Sequence, residues 1–462
     1  MVVSLSPKHT RVALVSFALA LTFGLAACGG TGGKSLIGSV GASSLPSAST
    51  QASPPAGQSV SLASETASNS SAAASFASQT NGNIGGANIS KVATGSLLSG
   101  SHTPIYAHLV GWFGQPSHVD VGYTSSDPAQ IHRQVADALS RGIAGFILDW
   151  YGPTADTVVN NTLLGLKTEA ESQGGNFSFA VMYDGGALTN CHQSACDMNQ
   201  QAISDLTYAY NTAEQSSAYI RLGGRPVVLF FDADRFGPLD WPRIQASVPG
   251  NPVFLFNGSA DQAFNHAAGK GAFSWVVIDG SNPEDWASSY LDTFYSTARS
   301  AGSDFAMGAT YKGFNDSMAS WGLGRKLNQD CGHTWLNTFN EVNKFNSAAN
   351  AGVQIVTWND YEEGTEIESG IDNCVALTAS VSGHTVNWSI TGDESTLDHY
   401  TVFTSTDGQN LTSLGDVPAG SHSFDLSSVK LAAGSYSVFV QAVGKPSLTN
   451  KMSAPVPYSP GS

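Results

Sequence analysis

Residues 357–368, TWNDYEEGTEIE, place five carboxylates (Asp360, Glu362, Glu363, Glu366 and Glu368) within nine positions, directly behind the largely apolar run Val353 to Val356. A core has no use for such density, because an ionised carboxylate taken out of water is costly unless it is paired. The density suits a reaction that needs a proton donor and a second carboxylate close by. Cleavage of a glycosidic bond is one, since its oxocarbenium-like transition state uses one acid on the leaving oxygen and one carboxylate acting from the opposite side. Asp360 and Glu363 are three apart: about 10 Å between Cα atoms if extended, but within about 7 Å in a turn. Gly364 makes such a turn available. Glu362 between them would repel its neighbours and raise a carboxyl pKa. The bland alternative is a solvated, helix-starting or cation-binding loop. Calcium stays open for some of these groups, although EF-hand spacing is missing.

Elements must hold such a turn in place. From Pro104 onward, short apolar runs alternate with helical periodicity, the pattern of a parallel sheet with crossover helices. Eight runs are predicted as strands: Ile105–Gly111, Gly145–Trp150, Phe177–Tyr183, Pro226–Phe231, Pro252–Phe256, Phe273–Asp279, Asp304–Thr310 and Val353–Trp358. The clearest predicted helices are Pro128–Arg141, Thr157–Ser172, Asn199–Tyr219, Glu284–Ser300 and Thr334–Ala349. This predicts an α/β fold, a (β/α)8 TIM barrel, over residues 104–374. An open doubly wound sheet is disfavoured because no Gly-rich phosphate loop follows any strand.

In a barrel of this kind the chemistry sits where strands end. Those ends carry Trp112, Asp149-Trp150-Tyr151, Tyr183-Asp184, Asp232, Asp234, Asn257, Asp279, Tyr311 to Asn315, and Trp358-Asn359-Asp360 with Glu363. Each has an ordinary reading. Asp156 and Asp234 are read as helix caps, Asp279 equally as cap or site residue, and the aromatics as a roof on the core. Their convergence on one rim points to a glycan site, with aromatic faces against sugar rings and Asn or Asp on the hydroxyls.

Composition narrows the classes. Of 462 residues 41% are apolar, enough for a sizeable core, and 12% are charged, about half the ~25% usual in soluble proteins. Twenty Lys and Arg against 36 Asp and Glu give a net charge of −16, which argues against a nucleic-acid partner and leaves neutral polysaccharide compatible. Residues 1–28 read as a lipoprotein signal peptide: Lys8 and Arg11, an apolar run from Val12 to Ala26 too short to span a bilayer, then Leu25-Ala26-Ala27-Cys28. That ending resembles the bacterial lipobox, which implies lipidation of Cys28; an ordinary secretory peptide is the alternative. Gly29 stands where an Asp would signal inner-membrane retention, a hint toward the outer membrane or cell surface. Residues 29–103 are mostly Ser, Ala and Gly and are predicted as a disordered tether, whose 75 residues would span roughly 50 Å.

Three segments carry a family likeness: Tyr106 to Gly111, Gly142 to Gly152 and TWNDYEEGTEIE, with Lys312-Gly313-Phe314-Asn315-Asp316 as a weaker fourth. They resemble glycoside hydrolase families 71 and 99 over most of residues 104–372. The resemblance implies a (β/α)8 barrel acting on polysaccharide, α-1,3-glucan with inversion in family 71 and α-mannosides with retention in family 99. It implies Asp360 and Glu363 as the catalytic carboxylates, with Glu363 as acid/base, and Asp149 and His108 as substrate contacts. Asp360 follows the family 71 pattern and Glu363-Gly364-Thr365 with Ile367-Glu368 the family 99 pattern, so substrate and stereochemistry stay open between them.

After Cys374 the chain alternates cleanly around Trp388, Tyr400 and Tyr436, predicting a β-sandwich over 375–462 that resembles a fibronectin type III module. It is read as a spacer or packing module before a carbohydrate-binding one. Export makes Cys191, Cys196, Cys331 and Cys374 disulfide candidates; of three pairings, Cys191–Cys196 with Cys331–Cys374 is favoured. A metal at Cys191-His192 to Cys196 and free thiols are the other readings.

The expectation is therefore a lipid-anchored, extracytoplasmic, monomeric glycoside hydrolase that uses neither cofactor nor metal and acts on α-linked polysaccharide. Asp360 and Glu363 are the expected catalytic pair, and Asp149, His108, Trp150, Tyr151, Tyr183, Asp184, Tyr311, Trp358 and Asn359 the expected substrate contacts. Two rivals remain: a surface glycan-binding lipoprotein without turnover, which need not keep both carboxyls of the pair, and an adhesion protein built on the sandwich, which leaves the acidic motif unexplained.

Overall fold

The computed structural model describes residues 88–461 apart from 101–102, 259–262, 267–270, 279–281, 303–304, 346–349 and 409. The signal peptide, Cys28, tether residues 29–87 and Asp279 lie outside the described residues. Eight strands run parallel: β1 (Ile105–Val110), β2 (Gly145–Trp150), β3 (Ser178–Asp184), β4 (Arg225–Phe231), β5 (Val253–Phe256), β6 (Gly271–Phe273), β7 (Ala306–Thr310) and β8 (Asn350–Ile355). They bond in the order β3-β2-β1-β8-β7-β6-β5-β4, and β3 also pairs with β4, so the sheet closes into the barrel that the alternation predicts.

Around it lie α1 (Pro128–Ser140), α2 (Thr157–Ser172), α3 (Met198–Ala209), α4 (Trp241–Ser247), α5 (Ser288–Ala301) and α6 (His333–Lys344). Several start where the sequence signals a start. Asp127 accepts from the Ala129 amide ahead of Pro128, and Asp156 accepts from Val158 and Val159. Asp234 does not cap a helix; its Oδ1 accepts from the Leu239 amide and the Trp241 indole, while Asp240 caps α4. The predicted third helix stops early, turning through a wider π turn at Tyr210–Glu214.

β6 departs most from its prediction. It begins at Gly271, where a Cβ would lie 2.3 Å from the Phe254 carbonyl oxygen, so the close approach of β5 and β6 admits only glycine there. Periodicity sees the apolar residues that follow instead. After Ser274, whose amide still bonds Met307, the chain leaves the ladder, and Trp275 sits edge-on to His108 at 4.6 Å over the barrel interior.

Two antiparallel sheets follow the barrel. One holds β9 (Ala376–Ser382), β10 (Thr385–Thr391) and β13 (Ser423–Asp425); the other holds β11 (Leu397–Ser405), β12 (Thr412–Pro418), β14 (Tyr436–Gly444), β15 (Lys451–Met452) and β16 (Val456–Tyr458). Trp388, Tyr400, Val402, Val438 and Val440 fill the core between them. Disulfides join Cys191 to Cys196 and Cys331 to Cys374. Residues 88–98, inside the stretch predicted as tether, pack on the fold: Ile89 bridges to Thr449, Ser90 donates to the Leu448 carbonyl, and Thr94 donates to that of Arg141. Two buried apolar side chains, Ile89 and Leu98, hold what a composition dominated by small residues hides. No described helix is long and apolar enough to cross a membrane.

Candidate active site

Strand periodicity decides which side chains reach the mouth. Register pairs Asp149 with Met182 and Trp150 with Tyr183, so the two carboxylates at the ends of β2 and β3, Asp149 and Asp184, point inward while their neighbours Trp150 and Tyr183 point to the helices. Beyond β8 the chain turns sharply. The Asp360 carboxylate caps that turn, its Oδ1 accepting from the amides of Glu362 (3.0 Å) and Glu363 (2.9 Å). Gly364 closes it at φ 62, with Asn315 3.2 Å from where a Cβ would stand, so the position demands glycine. The Asn315 amide in turn bonds the Glu363 carbonyl at 2.7 Å, tying the turn to the segment after β7.

Four carboxyls thus face one another: Asp149, Asp184, Asp360 and Glu363. Burial, then the charge of Glu363 and of Glu362, pushes Asp360 well above the usual carboxylate range, against the pull of its two amide donors. Burial also raises Asp149, with Asp184, Asp360 and Glu363 adding like charge. Asp184 rises to about 6, mainly through burial, opposed by the Gly186 amide and Arg235. Burial raises Glu363, opposed by the Trp321 indole and Arg325. Like charges at such density cannot all ionise near neutrality. Their donors sort them. Asp149 has only the Tyr151 hydroxyl, 3.2 Å from Oδ2, and its buried Oδ1 has no partner among the described residues, so a retained proton is least opposed there. Glu363 alone of the four is not fully buried.

The rest of the acidic motif is engaged by specific partners. Glu362 Oε2 accepts from the Trp112 indole (2.9 Å) and contacts His118 Nδ1 (2.8 Å), and Oε1 accepts from the Val119 amide. Glu366 accepts from Lys312 at 2.8 Å. Glu368 lies behind the turn between the hydroxyls of Tyr123 and Tyr361 and the amides of Gln130 and Gln134. Arg141, fully buried over the Trp358 ring, donates to the carbonyls of Ile367 and Glu368 and pairs with Asp137.

Several expected substrate contacts are not at the rim. Trp150 bonds Asn160 on α2 and stacks on Tyr208 of α3. Tyr183 donates to Asp205 on α3 at 2.8 Å, and Tyr311 donates to the Trp286 carbonyl. Trp358 packs on Phe146. All four are closed off between barrel and helices: Trp150, Tyr183 and Tyr311 occupy the outward phase at their strand ends, and Trp358, beyond β8, lies under Arg141. Asn359 clamps β1 instead, accepting from the Val110 amide and donating to its carbonyl and to Tyr123. His108 is fully buried inside the barrel, 2.6 Å from Gln354 Oε1, and burial lowers its pKa to about 4, so it is a neutral core imidazole. Tyr151 does stand at the mouth, its ring 6.3 Å from that of Trp112.

The mouth also holds residues that strand ends did not reveal. His118 stacks on Trp112 at 5.1 Å, and Trp321 meets Trp112 edge-on at 6.2 Å while its indole N–H points to Glu363 Oε1 at 3.4 Å. Both lie in loops with no periodic signal; the isolated Trp321 between Gly and Ser residues was the one available clue. Among the described residues no group of three or more His, Cys, Asp or Glu is arranged to hold a metal ion. A mouth with one partly buried raised carboxyl, three buried ones and an aromatic wall is equipped to donate a proton to a polar leaving atom and to accept one from water.

The family model for glycosyl hydrolase family 71 matches residues 117–381. Among solved structures, a GH99 endo-alpha-mannosidase from Bacteriodes thetaiotaomicron, in complex with BIS-TRIS-Propane, is similar at 15% identity and a TM-score of 0.46, covering 57% of this chain and 86% of that one. A glycoside hydrolase-like protein is similar at 15% identity and a TM-score of 0.46, covering 58% of this chain and 86% of that one. No curated protein matches the sequence.

Proposed function

This chain belongs to glycosyl hydrolase family 71, and on that premise we propose that it cleaves an α-linked polysaccharide of the α-1,3-glucan or α-mannan type with Glu363 and Asp360. The observation that carries the proposal is the turn in which Asp360 holds the Glu362 and Glu363 amides and so fixes the two carboxyls of the pair in one mouth. Glu363 protonates the leaving oxygen. Its burial favours the protonated form, and its partial exposure lets it meet an incoming chain. Asp360, held by two amides against the surrounding charge, acts from the sugar side on water or on the sugar itself. Asp149, Asp184 and Tyr151 line the same mouth and hold hydroxyls, and Asp149, when it keeps its proton, donates as well as accepts.

The enzyme acts outside the cytoplasm, anchored by lipid at Cys28. The Leu25-Ala26-Ala27-Cys28 sequence and the two disulfides support this. Reducing-sugar release by the full chain and by its Glu363→Gln variant, on α-1,3-glucan, α-mannan and a panel of other polysaccharides, tests the function. The variant loses about a hundredfold or more, the lower end of what a general acid supplies. Undiminished release by the variant refutes the role of Glu363. Retention of a glycan with no release from any of them makes the chain a binding protein.

A further inference from the structure

Five large apolar side chains are exposed among the described residues, and three of them, Met318 (51%), Trp321 (44%) and Leu323 (64%), stand within six positions of one loop between β7 and α6. The loop is stiff. Phe314–Asn315 pairs with Lys326–Leu327 at its base, and the buried Asp316 accepts from the Leu323 amide at 3.0 Å and from the Arg325 amide and guanidinium at 2.7 and 2.8 Å. Gly322 passes so close that a Cβ would lie 1.9 Å from the Asp316 carbonyl oxygen. The Arg325 guanidinium also covers the Phe314 ring at 5.1 Å. Contacts of this kind hold apolar groups out toward solvent at a fixed place, which is a cost in an isolated protein and a gain where a ligand covers them.

Continuity with the reaction centre identifies the occupant. The Trp321 indole N–H reaches Glu363 Oε1, and the Asn315 amide at the base of the loop bonds the Glu363 carbonyl. We propose that residues 316–325 form the platform for the sugar units on the leaving-group side of the scissile bond, with Trp321 as anchor and Met318 and Leu323 extending it along the chain. The inference rests on the glycosidase reading, in which Glu363 touches the leaving oxygen: whatever lies against its outer face lies against the departing sugars. The platform sets a preference for polymer over short substrates, because a disaccharide does not reach Leu323.

The test compares the full chain with Trp321→Ala, Trp321→Phe and a Met318→Ser/Leu323→Ser double variant. The measured quantity is kcat/KM on an α-linked hexasaccharide divided by that on the disaccharide of the same linkage. Loss of the aromatic contact to the first departing sugar, which both substrates possess, lowers kcat/KM on each by about tenfold in Trp321→Ala, whereas the double variant lowers the ratio, because only the hexasaccharide reaches Met318 and Leu323. Trp321→Phe keeps the ring and loses the N–H, so the ratio holds while the alkaline limb of kcat/KM moves to higher pH, a donor to ionised Glu363 having been removed. A kcat/KM unchanged on both substrates in Trp321→Ala and a ratio unchanged in the double variant, with hydrolysis intact, overturn the platform and leave the glycosidase reading standing. If the unaltered chain hydrolyses nothing, that reading falls, and the platform is judged by retardation of the same proteins in gels containing α-1,3-glucan or α-mannan. Equal retardation of parent and variants overturns it there too.

Discussion

Glu368 and Glu363 are five residues apart in one acidic stretch, and the structure gives them different surroundings. Glu368 is wholly buried, and burial raises its pKa from 4.5 to about 7 against the opposing pull of Tyr123, Gln134, Tyr361 and Arg141. Such a rise corresponds to about 3 kcal/mol between the protonated and ionised forms. Because the folded-state pKa lies above the unfolded one, the native chain binds this proton more tightly. The stability it contributes is complete below pH 4.5 and is lost as the pH climbs through about 7. Glu368→Gln removes the titration at little steric cost. The two tyrosine hydroxyls on Oε2 can turn and accept from a carboxamide N–H, whereas the Gln130 and Gln134 amides on Oε1 still find an oxygen. Urea unfolding of both proteins across the acid-to-neutral range measures the effect. From pH 4.5 to about 8 the unaltered chain loses about 3 kcal/mol more than the variant. The other raised carboxyls, Asp149, Asp184 and Glu214 among them, titrate in both proteins and cancel in the difference. Parallel stability curves refute the assignment. So does loss of sugar release in a Glu368→Gln protein whose stability at pH 4.5 is unchanged, which would put this carboxyl in the mouth.

Arg141→Met removes the guanidinium that holds the Ile367 and Glu368 carbonyls and leaves Asp137 buried without its cation. Breaking a buried pair in this way costs about 3–5 kcal/mol, read as a lower denaturant midpoint. Sugar release falls with it, because the strand-eight turn loses its backing. The two disulfides differ in the chain they close, separations of 5 for Cys191–Cys196 and 43 for Cys331–Cys374. Loop-closure entropy then predicts losses of about 2 and about 4 kcal/mol when each pair is replaced by serines, measured by thermal or urea unfolding.

What could be read from the sequence follows the physics of each signal. Apolar runs alternating with helical periodicity fix a barrel, since both patterns are local. Strand ends blurred where glycine rather than an apolar residue set them, as at Gly271, and where a wider turn ended α3 without a proline or glycine to mark it. At the site the strand ends are legible, but Trp150 and Tyr183 are expected at the mouth beside the carboxylates Asp149 and Asp184. A period of two forbids that: Asp149 and Trp150 cannot both face inward, nor can Tyr183 and Asp184. Applied strictly, the alternation separates the carboxylates from the aromatics before any coordinates exist.

The acidic stretch resists that treatment because it is a turn, where no period applies and partners decide. Asp360 and Glu362 are equally acidic and nearly adjacent, yet one holds two backbone amides at the mouth and the other is spent on Trp112, His118 and Val119. Those partners arrive from the loop after β1, some 240 residues earlier in the chain. Trp321 is hidden for the same reason. Its importance comes from Glu363, reached across the interval between β7 and β8, and a lone tryptophan among glycines and serines announces nothing until the carboxyl beside it is seen. A motif therefore locates chemistry here, while long-range hydrogen bonds assign it. The donors of Glu362, Glu366 and Glu368 make them supports, which leaves Asp360 and Glu363 for the proposed catalytic pair.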